Sequence, residues 1–254
     1  MIDIHTFVLP NFSKGPKDSE TFIHIAKILV KQGVTHAVAT TPVLTSGAQV
    51  KAKEAAGDQV ATANQHLQSL SIPLEILPGQ KVCASTQVLR LYTESLTINN
   101  TNKYLMIDLP DEGVISQVQH IIYKLQLKSI VPIISEPERS SFILDNPQKL
   151  YQFVKNGAII QLSAASILGQ NGRKAKRAAF QFIEHGLAHV IASGVTAQTF
   201  KTYGLQQAYD VLSKHYGSRT VYMLKENAES IIRGEALYKE RPERIEQTKF
   251  LGIF

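Results

Sequence analysis

The sequence predicts an α/β fold, a single TIM-like (β/α)7 barrel spanning residues 1–254. Three observations predict it. Short apolar β-type runs alternate with longer helical patterns from end to end, no proline- or glycine-rich linker divides them, and 254 residues is a length that α/β barrels fill as one unit. Strands that read as nearly continuous apolar runs belong to a parallel sheet covered by helices on its outer face.

Taken in order, the strand runs fall at 2–6, 36–41, 73–77, 104–109, 130–135, 158–163 and 188–193. Between the first two, the segment Asp18 to Lys31 repeats Phe22, Ile25, Ala26, Leu29 and Val30 on one face, which is amphipathic helix. Gly33, Gly157 and Gly186 stand just before strands, where a glycine that ends a helix belongs. Two further helices, roughly 200–215 and 222–234, close the pattern. The tail 239–254 is charged as far as Gln247 and ends in apolar Phe250-Leu251-Gly252-Ile253-Phe254, expected to dock on its own domain or on a second copy in a homo-oligomer.

Bulk composition excludes several function classes. A net charge of +6 and an isoelectric point near 9.3 favour an acidic partner. The cations are scattered and no zinc-finger or RNA-recognition signature occurs, so no nucleic acid is expected. No apolar stretch approaches the ~18–20 residues of a membrane span, and no secretory signal opens the chain, so the cytoplasm is the expected compartment. Cys83 is the one cysteine, which rules out an internal disulfide and a multi-cysteine zinc site. A Cys-x5-Arg phosphate loop is absent because Arg90 lies one residue too far, and the thiol is expected to be small and partly buried.

In such a barrel the active site lies at the C-terminal strand ends. That rule selects His5-Thr6-Phe7, Thr40-Thr41-Pro42, Gln80-Lys81, Asp108, Ser135-Glu136 with Arg139, Ser163, and Ser193-Gly194-Val195-Thr196. Alternate residues of a strand point the same way, so His5 and Phe7 are expected to face one site, and a phenyl ring cannot bind a metal. His24, His36, His66, His120, His185, His189 and His215 have no convergent spacing and are expected at the surface or in caps.

Met1–His5, Lys31–Thr35, Leu77-Pro78-Gly79-Gln80, Val131–Arg139, Gly157–Gly169, Glu226–Glu229 and Lys249–Phe254, in that order, resemble the PHP-type (polymerase and histidinol phosphatase) bacterial protein-tyrosine phosphatases of capsule and exopolysaccharide operons, the CpsB/YwqE family. The resemblance covers essentially the whole chain and implies a cluster of divalent ions, usually manganese, that polarises a phosphoryl group and generates a hydroxide nucleophile. Position by position, most ligands that it implies are replaced. His5 stands at a ligand position but Phe7 replaces the next histidine. Asp-Asp-Gly reads Ser13-Lys14-Gly15, and Ala-Thr-Pro-His-His reads Ala39-Thr40-Thr41-Pro42-Val43. The glutamate of Pro-Gly-Gln-Glu is Lys81, a glutamate before Leu109-Pro110 is Asp108, His-Pro-Glu-Arg begins at Glu136, and Ser-Asp-Ala-His has become Ser193-Gly194-Val195-Thr196.

Only His5 and Asp108 remain as metal ligands, too few for a cluster, so no metal cofactor is expected. The Lys81 ammonium is expected in the vacated volume, paired with Glu136 or Asp108. Arg139 and Lys81 are expected to grip a phosphate or other anion. The chain is thus expected to be a catalytically inactive pseudophosphatase whose partner is the phosphotyrosine tail of a polysaccharide-assembly tyrosine kinase or an active paralogue. The alternatives are an active phosphatase or other hydrolase with a rearranged site, and a scaffold for anionic polysaccharide or sugar-phosphate.

Overall fold

The computed structural model describes residues 1–12, 14–42, 49–84, 97–109 and 115–245. Seven parallel strands form one sheet in sequence order: β1 (Ile2–Thr6), β2 (His36–Pro42), β3 (Glu75–Cys83), β4 (Tyr104–Asp108), β5 (Val131–Ser135), β6 (Ile159–Ser163) and β7 (Val190–Ala192). A single parallel bridge between Thr6 and Val195 brings the last strand end back to the first, giving a nearly closed barrel. The described helices are α1 (Ser19–Lys31), α2 (Gln49–Ser69), α3 (Ile115–Gln126), α4 (Ser141–Asp145), α5 (Pro147–Lys155), α6 (Ala164–Leu168), α7 (Arg173–Glu184), α8 (Leu205–Tyr216) and α9 (Ser218–Arg233).

Strand alternation sorts the core into two layers. Val38, Leu77, Met106, Ile133, Ile159 and Val190 fill the barrel interior, and Ile231 and Ile232 of α9 close its floor. The intervening Ala37, Leu105, Ile134, Ile160 and Ile191 face the helices, packing with side chains such as Phe22, Phe153 and Phe182. Continuing the interior series up each strand leads from Met106 to Asp108, from Ile133 to Ser135 and from Ile159 through Gln161 to Ser163. The apolar filling gives way to polar groups only at the mouth.

Two elements differ from the sequence reading. Strand β3 runs on to Cys83 although Pro78-Gly79 reads as a stop. The register explains it: β4 joins β3 only from Lys81, so Pro78 is paired on the β2 side alone, where a missing donor is tolerated. Gly79 allows close packing, since a Cβ there would lie 2.7 Å from Val38 Cγ1. Strand β1 carries a bulge. Asp3 pairs Ala37 but Thr6 pairs Ala39, so three steps on β1 match two on β2. The extra residue turns Asp3 away from the interior while His5 and Phe7 point into the mouth.

Asp3 then ties the seam. Its Oδ1 accepts from the Ser193 amide at 3.0 Å, and its Oδ2 accepts from the Tyr203 hydroxyl at 3.1 Å. The Gly194 amide donates to His5 O at 2.9 Å and the Phe7 amide to Val195 O at 2.8 Å, so β1 and β7 meet at the mouth. Burial raises the Asp3 carboxyl to about 6. The apolar end Phe250–Phe254 lies outside the described residues, as does Ser13. No helix among the described residues is long and apolar enough to cross a membrane.

Asp3→Ala leaves the partly buried Ser193 amide and the buried Tyr203 hydroxyl without their acceptor. Thermal unfolding should show a loss of about 2–4 kcal/mol, with a smaller loss for Asp3→Asn, which retains one acceptor.

Candidate active site at the barrel mouth

The mouth gathers side chains from all seven strand ends, and its centre is His5. The ring is fully buried, with Nδ1 3.2 Å from Gln161 Oε1. The Gln161 amide is oriented because its Nε2 donates to Leu162 O at 2.8 Å. Oε1 therefore faces the ring, the proton sits on Nδ1, and Nε2 is an unprotonated nitrogen. That Nε2 has no hydrogen-bond partner among the described residues. Burial, with Lys81 nearby, lowers the imidazole to about 4, so His5 is neutral near pH 7.

Phe7 stacks edge-on against His5, 5.2 Å between centroids. Its ring also carries two ammonium groups, Lys14 Nζ at 5.2 Å and Lys81 Nζ at 5.5 Å. Lys81 is buried and its Nζ lies 2.9 Å from Asp108 Oδ2, whose other oxygen accepts from Ser135 Oγ at 3.1 Å. Of the two partners expected for Lys81, the ion pair forms with Asp108.

Glu136 takes the other cation. Its Oε2 lies 2.6 Å from Arg139 Nη1. Burial opposes ionisation of Glu136, but the His5 ring, then Arg139 and Lys81 beside it, hold the carboxyl below the usual glutamate range. The residue sits in the left-handed region, φ 49°, held by its amide on Gln161 O at 2.8 Å and followed by Pro137. Gly194 makes room for it, since a Cβ on Gly194 would lie 2.9 Å from Glu136 Oε1. The glycine and the glutamate fit each other across the seam.

Glu138 is the group that sequence reasoning undervalued. It is fully buried, with Oε1 accepting from the Ser163 amide at 2.9 Å and Oε2 without a partner among the described residues. Burial, reinforced by Glu136, pushes its carboxyl up to about 8, so it is largely protonated at neutral pH. A Pro-Glu-Arg run signals a charged turn, and nothing local says that its glutamate faces inward. His189 is likewise buried, not at the surface: Nδ1 accepts from the Ile160 amide at 3.1 Å, and burial lowers the ring to about 3. Cys83 is exposed, contrary to the expected partly buried thiol, because β3 carries it past the barrel rim.

Two clefts flank this cluster. One, about 450 Å³, is lined by Phe7, Lys14, Lys81, Glu136, Arg139 and Thr196 among others. The second, about 540 Å³, runs past Pro42, Lys81, Cys83 and Asp108. Both share Lys14, Lys81 and Arg139. Arg139 spends one nitrogen on Glu136 and is half exposed, leaving further donors for a planar or tetrahedral anion.

The family described as capsular polysaccharide synthesis, CpsB/CapC, matches residues 1–233. Tyrosine-protein phosphatase YwqE of Bacillus subtilis is 33% identical over 255 residues, all of both chains. The putative tyrosine-protein phosphatase CapC of Staphylococcus aureus is 26% identical over the whole of both. Tyrosine-protein phosphatase CpsB of Streptococcus pneumoniae is 23% identical over 86% of this chain and 92% of that one. A solved structure, from work describing YwqE and CpsB as metal-dependent tyrosine phosphatases, superimposes with a TM-score of 0.91 at 31% identity, covering 97% of this chain and 100% of that one.

These relatives correct the expectation that no cofactor belongs to this fold: the likeness implies a metal ion. The side chains of this mouth suit a metal cluster in one respect only, the bare Nε2 of His5. Against it stand the Lys81 ammonium on Asp108, the Arg139 guanidinium on Glu136 and the phenyl ring of Phe7. Among the described residues no group of three or more His, Cys, Asp or Glu side chains could hold a metal ion.

Two measurements probe this packing. Gly194→Ala, forced into positive φ and against Glu136, should cost about 1–3 kcal/mol. Combining it with Glu136→Ala should recover on the order of 1 kcal/mol of that loss in a double-mutant cycle. Glu138 holds its proton to about pH 8 when folded, against 4.5 for an ordinary glutamate, so it weakens the fold progressively as pH rises through that window. The melting temperature of Glu138→Gln relative to the unsubstituted chain should therefore climb from pH 4.5 to 8, and a constant difference would contradict the buried neutral carboxyl.

Proposed function

The chain belongs to the CpsB/CapC family of capsular polysaccharide synthesis, and from that premise we propose that its mouth recognises phosphotyrosine on a cytoplasmic protein partner of that system, the tyrosine kinase of polysaccharide assembly. The observation that carries this reading is the convergence of Arg139, Lys81 and Lys14 on two clefts, the first of which is lined by Phe7 under the two ammonium groups. A phosphoryl dianion needs charge-assisted donors, which a guanidinium supplies bidentately and an ammonium as a point charge. The edge of Phe7 and the cleft beyond it suit an aromatic leaving group. Binding without turnover is the outcome that the donor set favours, because both carboxylates of the mouth are paired with cations.

The second reading is hydrolysis by a rearranged site. It is favoured by the names of the relatives and by one atom, the unprotonated Nε2 of His5, the neutral base a hydrolase would use.

Titration calorimetry with a phosphotyrosine peptide and its unphosphorylated twin tests the binding. Only the phosphorylated form should bind, and Arg139→Ala should weaken it about tenfold or more. Hydrolysis of the same peptide with added manganese, in the unsubstituted chain and in His5→Ala, separates the two readings. Turnover that vanishes in His5→Ala establishes the hydrolase, whereas binding with no turnover establishes the pseudophosphatase.

A further inference from the structure

A third cleft, about 730 Å³, opens beside the mouth and shares Arg139 with it. One wall is α7, which packs on the turn carrying Pro137–Arg139 and contributes Lys174 and Arg177. Leu144, Ala178 and Ile245 give it an apolar floor. Helix α7 begins with Arg173, Lys174, Lys176 and Arg177, has no acidic residue in its first turn, and takes no side-chain cap from Gly172. Among the described α-helices only α1 combines a side-chain cap, Asp18 accepting from the Thr21 amide, with an acidic first-turn residue, Glu20; what distinguishes α7 is the four cations in its first five residues. Cations at the positive end of a helix, and beside one another at three- and four-residue spacing, are both unfavourable. Lys176 has an internal use, with its ammonium 5.8 Å over the Phe180 ring. Arg173, Lys174 and Arg177 form no ion pair among the described residues.

We propose that this cleft binds an acidic polypeptide segment flanking the phosphotyrosine, a deepening that rests on the phosphotyrosine reading above. Three cations, Arg139, Lys174 and Arg177, line it against one carboxylate, Asp145. An acidic segment relieves the repulsion at the start of α7, whose own first turn carries no acidic residue. The apolar floor selects a polypeptide over a polysaccharide, since side chains between the acids can pack on Leu144 and Ile245. Arg139 joins the two sites, so a peptide that seats its phosphoryl group at the mouth continues directly into the cleft.

Fluorescence anisotropy with two phosphotyrosine peptides, acid-flanked and neutral-flanked, tests this in the full chain and in Lys174→Glu/Arg177→Glu. Both substituted side chains are exposed, and circular dichroism checks the fold. The double variant should lose about tenfold or more for the acid-flanked peptide, with the neutral-flanked peptide and inorganic phosphate unchanged. Equal losses for both peptides, or none, overturn the proposal. An unphosphorylated acidic peptide keeps the two readings distinguishable. If phosphotyrosine fails to bind at all but this peptide binds and is lost in the double variant, the mouth assignment fails and the cleft stands. If polygalacturonate binds and is lost in the double variant while the acidic peptide does not bind, the occupant is polysaccharide and the proposal falls.

Discussion

The mouth depends on one constraint, the closure of the barrel between β1 and β7 around Asp3. Seven strands leave a seam that, among the described residues, the ladder bridges at Thr6 and Val195. Asp3 supplements that bridge with bonds to Ser193 and Tyr203, and it reaches them because the β1 bulge has turned it outward. The same bulge turns His5 and Phe7 inward. A regular strand would present Asp3, His5 and Phe7 on one face, leaving either the seam or the mouth without its residues. Closing the barrel and furnishing its mouth are thus one event, and its cost is a buried carboxyl that holds its proton to about pH 6.

Around that frame the charges form a packed arrangement. Lys81 answers Asp108, Arg139 answers Glu136, and Gly194 lacks the side chain that would displace Glu136. A site losing ligands without compensation would leave carboxylates facing one another, as Glu138 and Glu136 show locally: the more buried of the two stays protonated. The half-exposed pairs add little stability individually. Their effect is on the field, because Lys14, Lys81 and Arg139 exceed the two ionised carboxylates, Asp108 and Glu136, that line the same clefts.

Much of this was legible in the sequence because it follows from periodicity. The seven strand runs, the glycines at 33, 157 and 186 with their positive φ, and the rule that sites lie at strand ends located the mouth and named His5, Phe7, Lys81, Asp108, Glu136 and Arg139. What escaped depends on contacts between distant segments. The bulge is invisible because Asp3-x-His5-x-Phe7 reads as perfect alternation. The inward turn of Glu138 is set by the Ser163 amide, 25 residues away. The extension of β3 through Pro78 depends on where β4 starts, which no local pattern states. Lys14 lies on a loop whose sequence signals only a turn, and its place over Phe7 follows from the closed seam.

The division between binding and chemistry can be located at single atoms. A metal ion and a lysine–arginine pair both present positive charge to a phosphoryl group, so either can hold the anion. They differ in the nucleophile. A metal ion lowers the pKa of a bound water, whereas an ammonium or guanidinium leaves it close to that of bulk water. Hydrolysis without a metal ion would require a neutral base, and Asp108 and Glu136 are already paired with cations. Among the described residues of the mouth, His5 offers a bare neutral nitrogen, its proton fixed on Nδ1 by Gln161, but its ring is fully buried. Its ring sits between the buried ammonium of Lys81 and the carboxylate of Glu136, so a proton gained at Nε2 is opposed by one and favoured by the other. The lowered value near 4 shows that burial and Lys81 prevail, which makes His5 a weak base. The burial and positive charge that lower His5 thus make it a poor base for the metal-free hydrolysis of the second reading.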